Sequence, residues 1–542
     1  MSGQVGCRTD LKVKLANTTL TRNEYGCPMW PHASVPSDVC PPSSTRLVSR
    51  QFQLFADRKH HMVPARSARA PNAFDPNRRW LLRSVSAGVM GFGLRNWLVL
   101  ESLAKSDNKT RQAKQVLVIY EEGGISQMDS WDPKPDAPVA HRSPFGPIST
   151  NVPGIQFSSL MPMIAQHADL LAVVRSMTTT KVAGHMEGCQ EFFKGYRFDQ
   201  AKGFPDIGSV VTELLGTDCS QLPGYIFCPG ANMPNHITTT GFLSASRSPW
   251  KLGTKSLGEN VAAPDWNVRA LQPIADLSRQ RFRSRRMLLD GLDQSIPAEA
   301  ASTQLLRRSY ENAFDLLTSS RVQSAFDLAT ENDATRDRYG RDHRGCCYLL
   351  GRKLIEAGVR FVTVTVIQPQ TLVNRPGIGE PNGVFLNWDH HEGIYNNGPC
   401  GGPQAMSNSE RYGLPHPVMM PSLDRSFSAL LTDLRDRGLL DETLVCFITE
   451  MGRTPHINKW AGRDHWARAM SIAFAGAGVR GGQVIGATSL DGGEVIDRRY
   501  TPYDYAETIY RKLGIDTDQR LHKPDGLPVP FTDDGELIRE LF

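Results

Sequence analysis

The sequence predicts an α/β protein, a three-layer αβα sandwich built around a mainly parallel sheet. Three observations predict it. Short, largely apolar runs rich in β-branched residues recur along the chain, amphipathic stretches of helical period lie between them, and glycines punctuate the joints. Strands buried on both faces read as continuous apolar runs, and helices between them supply the crossovers that a parallel sheet requires.

The entry strand is Gln115–Tyr120 (QVLVIY), ended by Glu121-Glu122-Gly123-Gly124. Residues 170–175 (LLAVVR) read as a second strand. Residues 205–216 (PDIGSVVTELLG) read as a helix begun after Pro205 and stopped by Gly216. The clearest unit follows: a helix over 347–357, a strand over 360–367 (RFVTVTVI), an amphipathic helix over 423–437 and a strand over 443–449 (TLVCFIT). A further strand, Met470–Ala475 (MSIAFA), and a late helix over 505–513 complete it. Residues 220–270, rich in Gly, Pro and Ser, read as an irregular insertion near the site. The arginine run at 279–286 reads as a solvated helix face with Leu288, Leu289 and Leu292 as its buried stripe; anion binding is the alternative. No internal repeat is visible.

With 542 residues, 40% of them hydrophobic, the chain can bury the core of one large or two modest domains. No run reaches the roughly 18 apolar residues of a membrane-spanning helix, so no ordinary span is expected. The net charge of +5 is uneven. Residues 1–110 hold 16 Lys and Arg against 7 Asp and Glu, whereas the remainder holds 45 against 49. A slightly acidic body argues against nucleic acid as a partner, because phosphate binding needs clustered positive charge. The ten cysteines include no C-x-x-C pair, so no zinc ribbon is expected. A chain of this size needs no disulfide, although one or two are compatible with export.

Residues 1–61 contain Cys7, Cys27 and Cys40 among scattered Pro and Ser, without periodicity. At 77–94 the text becomes NRRWLLRSVSAGVMGFGL, in which Arg78 and Arg79 precede a short apolar stretch. That is the pattern of a twin-arginine export signal, although Arg95 interrupts it and no A-x-A site follows; a basic amphipathic helix is the alternative. A signal belongs at an N-terminus, so translation is expected to start at Met62. On that reading residues 1–61 are a non-native or disordered extension, 62–110 the signal and linker, and 111–542 the folded domain.

Chemistry-bearing side chains collect at the strand ends. After QVLVIY come Ser126, Asp129 and Asp132; after RFVTVTVI, beyond a loop, comes NWDHH with Asp389, His390 and His391; after TLVCFIT come Glu450 and Arg453. Asp464 and His465 directly precede MSIAFA. In parallel sheets ligands sit at the carboxyl ends of strands. Mixed Asp, Glu and His sets of this kind hold divalent ions such as zinc, calcium or manganese, and two such ions can clamp a phosphoryl or sulfuryl group. Each residue alone also fits a turn or a helix cap. His185, after LLAVVR, reads as a ligand, a catalytic base or nucleophile, or a loop histidine. Arg175 and Arg453 are placed to hold an anionic substrate, with surface arginines the alternative. Residues 40–46 (CPPSSTR) imitate the C-x-P-x-R nucleophile segment of sulfatases, but Arg46 is two positions too far and the segment precedes the core.

The stretches GGISQMDSWDPKPDAP, VRSMTTTKVAGH, AFDLATENDATRDRYG, LIEAGVRFVTV, NWDHH, RGLLDETLVCFITEMGRTPHIN, GRDHW and GAGVRGGQVIGAT resemble the DUF1501 family. This resemblance, from about residue 76 to the C-terminus, implies a secreted protein of planctomycete type with the fold of the alkaline phosphatase/sulfatase-like superfamily. By analogy it implies metal-dependent hydrolysis. It places Asp389, His391, Glu450 and His465 at metal positions, with Asp129 the acid from the first strand end and Asp464 orienting His465. His390 and Met451 replace the residues usual at the centres of the family's WD-x-H and GE-x-G motifs. The superfamily nucleophile, a Ser, Thr or modified Cys, has no clear counterpart; the region offers Thr178, Thr179, Thr180 and His185. Two functions therefore stand. One is an exported metal-dependent hydrolase of sulfate or phosphate esters, on a small molecule or a polysaccharide. The other is a non-catalytic metal- or glycan-binding protein on the same fold.

Overall fold

The computed structural model describes residues 112–542 except 180–182, 217–220, 230–237, 254–259, 269–270, 273–278, 294–309, 312, 367–386, 396–398 and 401–410. All described residues lie in one structural unit, Gly88–Phe542. The extension 1–61, the start at Met62 and the twin-arginine-like leader lie outside them.

The strands that matter here are β1 (Gln115–Tyr120), β2 (Ala172–Met177), β3 (Tyr225–Cys228), β4 (Trp250–Lys251), β5 (Phe361–Thr365), β6 (Thr443–Ile448), β7 (Gly452–Arg453), β8 (His465–Trp466), β9 (Met470–Ala475) and β10 (Gln483–Ile485). Eight of them form one sheet in the order β10-β2-β9-β6-β1-β5-β3-β4; β7 and β8 pair separately. Every sheet neighbour is parallel except β9, which runs antiparallel to both β6 and β2. That single reversal positions the site. The chain entering β9 arrives at the edge from which β1, β2, β5 and β6 depart, as the pairing of Met470 with Met177 shows.

The helices that matter here are α1 (His185–Lys194), α2 (Ile207–Leu215), α3 (Arg279–Asp293), α4 (His343–Glu356), α5 (Met420–Asp436) and α6 (Pro502–Lys512). Side chains alternate across a strand. Leu117 and Ile119 of β1 accordingly join a core with Leu350 and Leu354 of α4 and Leu430 and Leu434 of α5. Val116, Val118 and Tyr120 join a second core with Phe192 of α1, Val211 of α2 and Ile509 of α6. A buried sheet between two helical layers is the αβα sandwich that the strand–helix alternation predicts. Fully burying each such side chain is worth about 1.5–3 kcal/mol.

Element ends differ from the periodicity by a few residues, because caps set them. The late helix starts at Pro502, where Thr501 and Asp504 form a reciprocal capping box. Helix α4 starts at His343, since the Asp342 side chain accepts from Gly345 N at 2.9 Å. Residues 220–270, expected to be irregular, contribute strand β3 and the edge strand β4. The buried stripe expected for the arginine-rich helix is also corrected: Leu288 of α3 is 69% exposed. Among the described residues no helix is long and apolar enough to cross a membrane. Cys189, Cys228, Cys346, Cys347 and Cys446 are free thiols.

Candidate metal centre

Three loops and one helix end meet where β1, β2, β5 and β6 finish. β1 runs into Glu121, whose fully buried carboxylate accepts from Arg344 Nε (3.1 Å), Tyr348 Oη (2.7 Å) and Trp388 Nε1 (2.8 Å). Trp388 N donates to Glu122 O at 2.8 Å. The segment bearing Asp389 is thereby pinned to the end of β1 by side chain and backbone. Gly123 makes the contact possible. It sits at φ +111°, and a Cβ there would lie 2.3 Å from Trp388 N.

Asp389 is the centre of the cluster. Its Oδ1 lies 3.3 Å from His185 Nε2, 3.0 Å from His391 Nε2, 3.0 Å from His465 Nε2 and 2.8 Å from Arg453 Nη2. Arg453 and His465 reach it together because they are cross-strand partners in the β7–β8 ribbon. His391 Nε2 is also 3.0 Å from His465 Nε2. His185 opens α1, packed into the core behind it through Cys189, Phe192 and Phe193.

The other nitrogen of each ring is already engaged. His185 Nδ1 lies 2.6 Å from Glu450 Oε1, His391 Nδ1 3.1 Å from Asp464 Oδ1, and His465 Nδ1 2.8 Å from the Ala183 carbonyl oxygen. An acceptor facing Nδ1 fixes the proton there and leaves a lone pair on Nε2. Three Nε2 lone pairs and one carboxylate oxygen then converge on one point. Such an arrangement repels itself unless a proton or a cation stands between the atoms. Acceptors behind the imidazoles are the usual outer support of metal-bound histidine.

The donor set fits a metal ion. His185, Asp389 and His465 offer ligand atoms all within 4.8 Å of one another, and His391 adds a fourth. Tetrahedral ligands about 2.05 Å from zinc are separated by about 3.3 Å, against 3.0–3.3 Å for the contacts to Asp389 Oδ1. Among the described residues this is the one group of at least three such side chains gathered closely enough for an ion.

Electrostatics follow from the same contacts. Burial opposes a charge on His185, but hydrogen bonds to Asp389 and Glu450 outweigh it and lift the imidazole to about 10. Burial likewise opposes ionisation of Asp389, yet His185, His391, His465 and Arg453 hold its carboxyl far below the usual range. Glu450 is lowered too, burial being overcome by His185 and by backbone N–H groups.

The sequence-predicted residues divide accordingly. Asp389, His391, His465 and His185 come together. Glu450 stands behind them, with no exposed surface, accepting from Gly123 N at 2.8 Å, Gly124 N at 3.3 Å and Thr449 Oγ1 at 3.2 Å as well as facing His185. Asp464 orients His391 and is itself held by Asn458 Nδ2 at 3.2 Å. Arg453 is buried, with donors on Gly123 O, Gly124 O, Arg463 O and Asp389, so it braces the carboxylate from behind. Asp129 forms a buried pair with Arg463 Nε at 2.8 Å. Arg175 pairs with Asp132 at 3.2 Å and donates to Gln156 O. Neither belongs to the cluster. His390 turns away, its Nε2 2.7 Å from the Tyr412 carbonyl oxygen. Sequence reasoning missed Glu121, Arg344, Tyr348 and the Ala183 carbonyl. Glu121, the first acid of the Glu121-Glu122 pair after β1, was the only signal of this network.

No curated protein matches the chain. Among solved structures it is similar to a sulfatase from Pseudoalteromonas sp., at 12% identity over 83% of this chain and 80% of that one, with a TM-score of 0.33. It is similar to a phosphonate monoester hydrolase from Silicibacter pomeroyi, at 12% identity over 79% and 76% of the two chains, with a TM-score of 0.34. It is also similar to a lipoteichoic acid synthase from Listeria monocytogenes, at 10% identity over 78% and 76%, with a TM-score of 0.33. Residues 113–542 match the family model described as protein of unknown function (DUF1501), and the chain belongs to that family.

Proposed function

We propose that the protein is an exported metal-dependent hydrolase of sulfate or phosphate esters, on a small molecule or a polysaccharide. One observation carries the reading: the convergence of the His185, His391 and His465 Nε2 atoms on Asp389 Oδ1. The leader around Arg78-Arg79 supports export. Three imidazoles and one carboxylate suit zinc or a comparable first-row ion such as manganese, whereas calcium prefers an all-oxygen shell. Such an ion, when bound, supplies a Lewis acid and brings a water molecule's pKa close to neutrality.

The chain's own groups do the rest. Glu450, Asp464 and Ala183 face the three Nδ1 atoms, so Nε2 is the atom that each neutral ring would present to an ion. Arg453 keeps Asp389 ionised and in place. With its donors committed, Arg453 is left as a positioning group, so the oxygens of an ester would be met by the metal centre.

A second reading, a binding protein that keeps the metal, is favoured by one observation. Among the described residues no Ser, Thr or Cys side chain hydrogen-bonds to the three imidazoles; each contact is to a carboxylate, a carbonyl or another imidazole. Aryl-sulfate and aryl-phosphate hydrolysis separates the two. The hydrolase reading expects turnover that a chelator abolishes, zinc or manganese restores, and His391→Ala lowers by about 100-fold. Metal bound without turnover would favour the binding protein. Turnover that survives both chelation and His391→Ala would put the chemistry elsewhere.

A further inference from the structure

Helix α3 (Arg279–Asp293) carries an arginine run that the metal centre leaves unused. It rests on the body by one face. Phe282 packs on Phe314 with ring centroids 4.6 Å apart, and Arg286 reaches Asp315 at 3.4 Å and lies over the Phe314 ring at 5.5 Å. At 3.6 residues per turn, Leu289 shares that face and is half-buried. Met287 and Leu288 point the other way and are 71% and 69% exposed. Arg281, Arg283 and Arg285, all exposed, flank this outer crest. The basic charge is local, since residues 111–542 as a whole hold 45 Lys and Arg against 49 Asp and Glu.

Scattered single apolar residues on a surface need no explanation, but two long adjacent ones bordered by guanidinium groups match one environment. A helix lying in a membrane interface sinks its apolar crest among acyl chains while arginines meet the phosphates. A polyanionic polysaccharide would use the arginines but would give Met287 and Leu288 nothing to bury against. We infer that α3 is a docking helix for a bilayer bearing anionic phospholipid headgroups, with Met287 and Leu288 inserted and Arg281, Arg283 and Arg285 on the phosphates.

The test is co-sedimentation of the full chain with phosphatidylcholine vesicles containing or lacking phosphatidylglycerol. Binding is expected only with the anionic lipid and should weaken as salt rises. Arg283→Glu with Arg285→Glu should weaken it by about tenfold or more. Met287→Ser with Leu288→Ser should also weaken it, which distinguishes insertion from simple charge attraction. All four substitutions are at exposed positions, so circular dichroism and metal content should stay unchanged. Equal binding to both vesicle types would overturn the inference. So would binding insensitive to Met287→Ser with Leu288→Ser, or binding to dextran sulfate, but not to vesicles, that the arginine variants abolish.

Discussion

His391 and His465 face one another with their Nε2 atoms 3.0 Å apart, while the Nδ1 atoms of both rings are held by acceptors, Asp464 Oδ1 and the Ala183 carbonyl. Two neutral imidazoles so arranged place lone pair against lone pair. The contact is stable only with a positive species shared between them, and Asp389 Oδ1, 3.0 Å from each Nε2, strengthens that demand. The predictions below test how the chain builds this contact.

Glu450 supports His185 from behind and also satisfies the N–H groups of Gly123 and Gly124. Glu450→Gln keeps an acceptor for one side but presents an N–H group to the other. Zinc affinity, measured by competition with a chromophoric chelator, should fall by about 10–100-fold. The folded state should lose about 1–3 kcal/mol in urea unfolding, because a buried group is left unsatisfied. An unchanged affinity would place Glu450 outside the support of the centre.

Metal-free protein should have a distinctive pH dependence. His185 titrates near 10 in the folded chain, against about 6.5 unfolded. A group whose folded value is raised contributes stability that is complete below the unfolded value and lost as pH rises through the folded one. Chelated protein should therefore become less stable between about pH 6.5 and about 10, and His185→Gln should flatten that slope. Calorimetry in buffers of different ionisation enthalpy should show proton release when zinc binds at neutral pH.

Gly462 should prove as sensitive as a ligand. A Cβ at that position would lie 2.0 Å from the carbonyl carbon of His391. Gly462→Ala must push the 390–392 backbone aside, at a cost of about 1–3 kcal/mol. Metal affinity should fall while far-UV circular dichroism stays native; retained affinity would mean that this loop does not set the His391 position.

Asp129 is the control. Its pair with Arg463 has no exposed surface on either side chain. Breaking such a pair by removing one partner costs about 3–5 kcal/mol. Asp129→Ala should lower the unfolding free energy by that amount yet leave the metal content of the folded fraction unchanged. Loss of metal at unchanged stability would return Asp129 to the centre.

These residues also show what could be read from sequence. The sheet was legible because QVLVIY, TLVCFIT and MSIAFA are apolar at most positions, as strands buried on both faces tend to be. The direction of MSIAFA was not, since an apolar run reads alike both ways, and only its pairing with β6 and β2 shows the reversal. Asp389, His391 and His465 were legible as polar side chains crowded at strand ends. Glu450 and Asp129 could not be told from ligands, because an acid at a strand end looks the same whether it faces an ion, two glycine N–H groups or an arginine 334 residues away. Helix α1 was hidden because HMEGCQEFFK carries a central glycine and a mixed face. Its burial comes from partners far along the chain, such as Tyr505 of α6.

The most direct test is elemental analysis of the full chain purified without chelator, beside His391→Ala, His465→Ala and Asp389→Ala. A centre built from three imidazoles and one carboxylate predicts about one first-row transition ion per wild-type chain and a loss of about tenfold or more in each variant. A wild-type chain that binds no such ion even after zinc is added, or variants that retain it in full, would contradict the metal centre.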